Sequence, residues 1–306
     1  MDAVLEQVLD WLLDSDPAIR WQVMRDLTDA GARKIKAERS RVANEGWGAR
    51  LLDLQAEDGM WGRGTYSPKW ISTMYTLLLL RHLGIGPEDH RVRAATDLVR
   101  DRVAMGRLNR PFFDYTTETC ITGMALALGS YFLDDAREMP QPETLLERQR
   151  DDGGWNCQVT SDRSSFHTTI SVLEGLLEYE RAVGDNPTLA EARTNAHEYF
   201  LERRLMYSLR TGELIKPRWL LMSFPPRWFY DVLRALDYLR DAGTDPDPRA
   251  GDAIEVIEDK RLKDGRWPLQ NRHPGKDHFP MEEGSGKPSR WNTLRAVRVL
   301  RWYRGV

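Results

Sequence analysis

Cysteine is nearly absent: Cys120 and Cys157 are the only two in a chain of 306 residues. Two thiols cannot build a disulfide framework, so the fold must rest on a packed core, and the pair reads as free thiols or metal ligands. Residues 1–13 show neither a basic stretch nor a continuous apolar run, so no secretory signal is expected there. Together with the cysteine usage this predicts a cytoplasmic address. No apolar run approaches the ~20 residues that span a bilayer; the longest, 71–80, is broken by Ser72, Thr73 and Thr76. A soluble protein is expected, or one that touches a membrane face peripherally. An excess of one charge is missing too. The net charge is −3, with 47 acidic residues and no basic cluster, which excludes nucleic acid as an expected partner. Nor does any segment show the strict alternation of a half-buried strand. What remains is 41% apolar and 30% charged residues, enough for a large helical core.

One segment recurs. Gln55-Ala56-Glu57-Asp58-Gly59-Met60-Trp61 returns as Gln149-Arg150-Asp151-Asp152-Gly153-Gly154-Trp155, and as Arg261-Leu262-Lys263-Asp264-Gly265-Arg266-Trp267. Asp58 and Asp152 lie 94 positions apart, Asp152 and Asp264 lie 112 apart, each about twice the length of a helix pair in a helical repeat array. Between and after the copies run segments with helical periodicity, such as Ile170, Leu173, Leu176, Leu177 and the every-third series Leu294, Val297, Leu300, Tyr303. They predict five apolar inner helices over 70–83, 118–132, 167–181, 228–239 and 291–303. More polar outer partners are predicted over 91–103, 143–150, 189–204 and 249–260. Asp16-Pro17, an N-cap followed by proline at the first helical position, opens a further helix over 18–29, preceded by one over 4–13. The expectation is an all-α single domain over 1–306, an α/α toroid of six inner-outer hairpins. Residues 1–46 would complete the ring and 47–306 carry five units, with an open solenoid as the alternative.

The Gln-x-x-Asp-Gly-x-Trp segments resemble the Gln-Trp repeats of squalene-hopene and related terpenoid cyclases and of protein prenyltransferase β subunits, over about residues 47–303. The resemblance implies that the repeated Asp, Gly and Trp hold the fold together. It also implies that the starts of the inner helices border an apolar central cavity. Those starts are aromatic: Trp70, Phe112, Phe113, Tyr115, Phe166, Trp228, Phe229, Tyr230 and Trp291. Such rings suit an isoprenoid chain or a developing carbocation. From this set Trp70, Tyr115, Phe166, Trp228, Tyr230 and Trp291 are expected to contact substrate, with ordinary core packing as the alternative.

The acidic signatures of the cyclases are missing. No Asp-x-Asp-Asp is present; Asp14-Ser15-Asp16 reads as capping, and Asp134-Asp135-Ala136-Arg137-Glu138 lies at the far end of an inner helix. The prenyltransferases offer a closer order of residues, carboxylate, cysteine, motif, histidine, as Glu118, Cys120, Gln149 to Trp155, His167. The resemblance implies a catalytic zinc on Glu118, Cys120 and His167 with a fourth position open. The carboxylate departs from the family pattern in being Glu rather than Asp. Arg107 and Arg110 resemble a basic diphosphate-gripping segment, though placed several residues further from Glu118. Without metal, Asp114, Glu118 or Asp231 would serve as a cavity acid of raised pKa, with helix capping as the competing role. The segment 268–289, with His273, His278, Glu282 and Glu283, reads as a lid or a closing strap; His82, His90 and His197 carry little signal. The functional expectation is a cyclase- or prenyltransferase-like enzyme for a hydrophobic isoprenoid. A metal-free isomerase and a non-catalytic binding module stand as alternatives.

Overall fold

The computed structural model describes residues 3–158 and 160–305, which are predominantly helical. In chain order the helices are α1 (Ala3–Leu13), α2 (Pro17–Leu27), α3 (Ala32–Ser40), α4 (Gly46–Leu52), α5 (Thr73–Leu83), α6 (His90–Arg102), α7 (Thr119–Phe132), α8 (Gln141–Glu147), α9 (Phe166–Val183), α10 (Pro187–Glu202), α11 (Val232–Asp241), α12 (Gly251–Asp259) and α13 (Arg290–Arg304). The five apolar stripes correspond to α5, α7, α9, α11 and α13. The Asp16 cap is made, with Oδ1 accepting the Ala18 N–H at 2.9 Å. Its other oxygen accepts the Trp47 N–H at 2.7 Å and so ties α2 to α4.

Helix α3 was not anticipated, because none of its residues is buried and it offers no apolar stripe to read. The expectation of no strand also needs a small correction. Two-residue strands β1 (Ala104–Met105) and β2 (Arg110–Pro111) form a hairpin with Ala104 opposite Pro111, too short for any alternation to show.

The three motif copies make one set of bonds. Trp61, Trp155 and Trp267 are 0–1% exposed. Their indole N–H groups donate at 2.7 Å to the carbonyls of Leu51, Leu145 and Ile257 on the outer helices α4, α8 and α12. Their backbone N–H groups donate to Thr73, Thr169 and Thr293 in the first turns of α5, α9 and α13. Each tryptophan thereby fastens an outer helix to the inner helix that follows. Gln55 and Gln149 reach further, to Ala95 on α6 and Ala192 on α10, each capturing the next outer helix. Gly59, Gly153 and Gly265 turn with φ of +85°, +87° and +82° against Leu98 of α6, Asn195 of α10 and Val4 of α1 respectively. In the third copy, then, the helix met is the first of the chain.

The other set of neighbours also returns to its beginning. Helices α5 and α7, and α7 and α9, pack directly; the α7–α9 pair meets backbone to backbone at Gly123 and Gly175, where a side chain would collide with the opposite main chain. Arg234 of α11 holds Glu174 of α9 through two bonds of 2.8 Å, Arg298 of α13 holds Asp237 of α11, and α13 packs on α2. Trp21 and Gln22 of α2 close the series by donating to the carbonyls of Leu83 and His82 at the end of α5.

Gly153→Ala is expected to lose about 2–5 kcal/mol of unfolding free energy. A left-handed alanine costs about 1–2 kcal/mol, and overpacking against the Asn195 main chain adds about 1–3 kcal/mol. Gly212→Ala isolates the backbone part, since φ is +70° there and nothing lies within 4 Å of the added carbon. Equal urea midpoints for the two variants would show that the motif glycine is there for the turn alone.

Candidate binding cavity

The aromatic helix starts pack on one another. Trp70 stands edge-on to Tyr75 at 4.7 Å and Phe229 at 6.0 Å, Phe229 stacks on His273 at 4.0 Å, and Trp228 stacks on Phe229 at 4.0 Å. Phe166 lies among Trp219, Tyr230 and Phe200, and Tyr230 donates its hydroxyl to the Leu205 carbonyl at 2.6 Å. Tyr115 is buried under the hairpin, its ring against Gly106. The segment 268–289 is a strap across this end. Lys276 exchanges main-chain bonds with Lys69 and Trp70, Gln270 donates to Met222, and His278 bonds Thr76 Oγ1 at 2.8 Å. Glu282 caps α13 by accepting from Ser289 Oγ at 2.6 Å and from the Trp291 N–H at 3.2 Å.

The open volume lies at the opposite ends of the same helices. A cavity of about 680 Å³, open to one side, is bordered by residues of α2, α3, α5, α7, α9, α11 and α13, many of them in the C-terminal halves of the inner helices. Its floor is Phe224 stacked on Trp291, ring centroids 4.2 Å apart and planes 9° from parallel. Trp291 is therefore the expected contact residue that lines it; Trp70, Tyr115, Phe166, Trp228 and Tyr230 do not. Nor is the lining purely apolar. Nine Lys and Arg side chains face six Asp and Glu, an excess of three positive charges.

Most of these charges are paired across helices. Burial works to raise the Glu174 carboxyl, but the charge and hydrogen bonds of Arg234, with His82 and Arg81 nearby, overcome it and hold the group at about 2. Glu178 is held by Arg81 of α5. His82, given no role from sequence, stands on the wall between these pairs, and burial pushes its imidazole down to about 3, so it is neutral at pH 7. At the rim the pairing across helices ends, and Arg25 holds only Asp26 of its own helix, at 2.6 and 2.9 Å. Arg25 and Arg39 both lie over the Trp21 ring, at 4.7 and 5.3 Å from its centroid. Arg39 spends its donors on neutral oxygens, the Gly84 carbonyl at 2.9 Å and Tyr131 Oη at 3.0 Å. Among the described residues neither Arg39 nor the adjacent Lys36 has a carboxylate at ion-pair distance.

The carboxylates nominated as acids lie elsewhere. Asp231 is 2% exposed and caps α11, accepting from the Arg234 N–H at 2.8 Å and Ser223 Oγ at 2.7 Å. Burial raises its pKa against the pull of Arg295, Ser223 and Arg234. Glu118 is the exposed residue preceding α7, and Asp114 sits in the 3-10 turn Phe112–Asp114. Arg107 and Arg110 are exposed on the β1–β2 hairpin. None of the five lines the cavity.

The zinc set does not assemble either. His167 Nδ1 accepts the Tyr230 N–H at 2.7 Å, its ring boxed in by Trp219, Trp228 and Phe229. Cys120 meets not His167 but the other cysteine: Cys157 Sγ accepts the Cys120 N–H at 3.1 Å. Among the described residues no three His, Cys, Asp or Glu side chains, Glu118, Cys120 and His167 included, are placed together to hold a metal ion.

Helical bundling around a charged cavity is the class of protein that fold and site define. No family model matches the chain, and no curated protein does. Among solved structures it is similar to a protein from Actinoplanes, known by its crystal structure, at 17% identity and a TM-score of 0.45 over 99% of each chain. No described helix is long and apolar enough to cross a membrane.

Proposed function

We propose that the chain is a closed α/α toroid whose lumen binds a small amphipathic anion, with a prenyl diphosphate as the representative chemistry. The return of α13 to α2 and of the third motif to α1 supports the closed ring over an open array. The observation that carries the ligand class is the rim, where Lys36 and Arg39 stand without carboxylate partners beside the Arg25–Asp26 pair and above an aromatic floor. An anionic head would take the rim, and an apolar tail would lie along Trp21, Leu177, Phe224 and Trp291. The volume is that of an ordinary small-molecule site, roughly 300–1,000 Å³. The reading is of binding first: the resemblance to cyclases and prenyltransferases suggests the tail, the cations suggest the head, and no acid is assigned to turnover.

Titration calorimetry with farnesyl diphosphate, inorganic pyrophosphate and farnesol separates the terms. Farnesyl diphosphate is expected to bind best, pyrophosphate more weakly, and farnesol least. Arg39→Ala should weaken the diphosphate about tenfold, the equivalent of about 1.4 kcal/mol, and affinity should fall with added salt. Farnesol binding as tightly as its diphosphate, or an indifferent Arg39→Ala, would overturn the anionic head.

A further inference from the structure

We propose that Cys120 and Cys157 form a redox-active dithiol that closes to an intramolecular disulfide by exchange with a small disulfide such as oxidised glutathione. The two residues come from different parts of the repeat, Cys120 from the first turn of α7 and Cys157 from two positions after Trp155, 37 residues away. The fold nevertheless brings Cys157 Sγ against the first turn of α7, 3.1 Å from the Cys120 backbone nitrogen. Both are half-buried rather than sealed, so a small oxidant can reach them.

The two sulfurs are not equivalent. Cys157 Sγ accepts the Cys120 N–H at 3.1 Å, one of the donors left over at the start of α7, and faces the Thr168 hydroxyl at 3.4 Å. These donors favour a thiolate there, and the thiolate is the attacking species. The neighbouring Cys157 sulfur, burial and the charge of Glu118 disfavour a thiolate on Cys120. Cys157 is therefore the attacking sulfur and Cys120 the resolving one. In the first step the Cys157 thiolate bonds to one sulfur of the oxidant, whose S–S bond breaks; the departing thiolate takes up the proton Cys157 gave to solvent. In the second step Cys120 loses its proton and attacks Cys157, releasing the second thiol. Two protein thiols are oxidised and one disulfide is reduced to two thiols.

The new bond would pin the first turn of α7 to the chain beyond the second motif, so thermal unfolding should move up by several degrees. Reduced protein is treated with oxidised glutathione and followed by thiol titration, intact mass and non-reducing peptide mapping. The expected result is loss of both thiols, a mass lower by two hydrogens, and a peptide pair joined through Cys120 and Cys157, all reversed by dithiothreitol. Cys120→Ser should instead retain a stable glutathione adduct on Cys157, and Cys157→Ser should leave Cys120 unmodified. Stable adducts on the unmutated protein, or links between two chains, would overturn the proposal. Because mass and mapping of the unmutated protein decide this, the test stands even where a serine variant fails to fold.

Discussion

Acidification from pH 7 to 4 is expected to unfold the protein cooperatively, with stability beginning to fall near pH 6.5. Five of the six histidines are held below their ordinary value by burial: His82 and His273 at about 3, and His167, His197 and His278 at about 4. The sign follows from linkage. Above pH 6.5 each imidazole is neutral in both folded and unfolded chains and contributes nothing. Between 6.5 and the folded value only the unfolded chain binds the proton, so stability drops as pH falls. Each such group is worth about 1.4 kcal/mol per pH unit. His82 and His273 alone would remove roughly 4 kcal/mol between pH 6.5 and 5, against a typical total of about 5–15 kcal/mol. Asp16, Asp231 and Glu282, raised by burial, act in the opposite direction, but only where pH passes through their own titration. Urea midpoints measured from pH 7.5 to 5 test this. A steady fall that becomes shallower in His82→Gln and His273→Gln is the expected outcome. A flat line would show that the imidazoles are hydrated in solution.

The five apolar stripes and the caps were legible because each expresses one local rule, a 3.6-residue period or a short side chain accepting an N–H. The motif was legible because it recurs, and its bonds are repeated three times over. What sequence could not supply was which end of the helices stays open. Trp70, Phe229 and Trp228 are aromatic whether they line a pocket or fill it, and only their mutual distances show that they fill it. The arginines hid in the opposite way. In α13 the apolar series at Leu294, Val297 and Leu300 is shadowed one position on by Arg295, Arg298 and Arg301, which in an isolated amphipathic helix would face water. Here that flank turns toward other helices, and Arg295 is 5% exposed. The counter-charge that makes this tolerable, Asp237 on α11, lies 61 residues from Arg298, and no local window pairs the two. Cys120 and Cys157 illustrate the same limit: the order of residues around the motif suggested a histidine partner, while the loop beyond Trp155 brings the second thiol in instead.

Asp237→Ala is expected to be the most damaging single change outside the apolar core, at about 3–5 kcal/mol. Asp237 Oδ1 accepts Arg298 Nε at 2.6 Å and Oδ2 accepts Arg295 Nε at 3.2 Å, with Arg240 of its own helix 3.4 Å away. Arg298 continues to Asp26 and Gln22 on α2, at 3.1 Å each. One carboxylate thus joins α11, α13 and α2, the place where the last helix meets the beginning of the chain. Burial opposes its charge, but Arg298, Arg240 and Arg295 outweigh burial and hold its pKa below the usual carboxylate value. That contribution is present above about pH 4 and is lost only as pH falls further, through the folded value. It is therefore intact across the histidine transition, and the two effects separate by pH. Removing the carboxylate strands guanidinium groups in a poorly solvated site, whereas replacing the Asp237 and Arg298 partners together leaves less uncompensated charge. Urea unfolding of Asp237→Ala, Arg298→Ala and the double variant at pH 7 should show the double variant losing less than the sum, with a coupling of about 1–3 kcal/mol. Additive losses would mean that water reaches these charges, and that apolar packing of α13 on α2 closes the series without them.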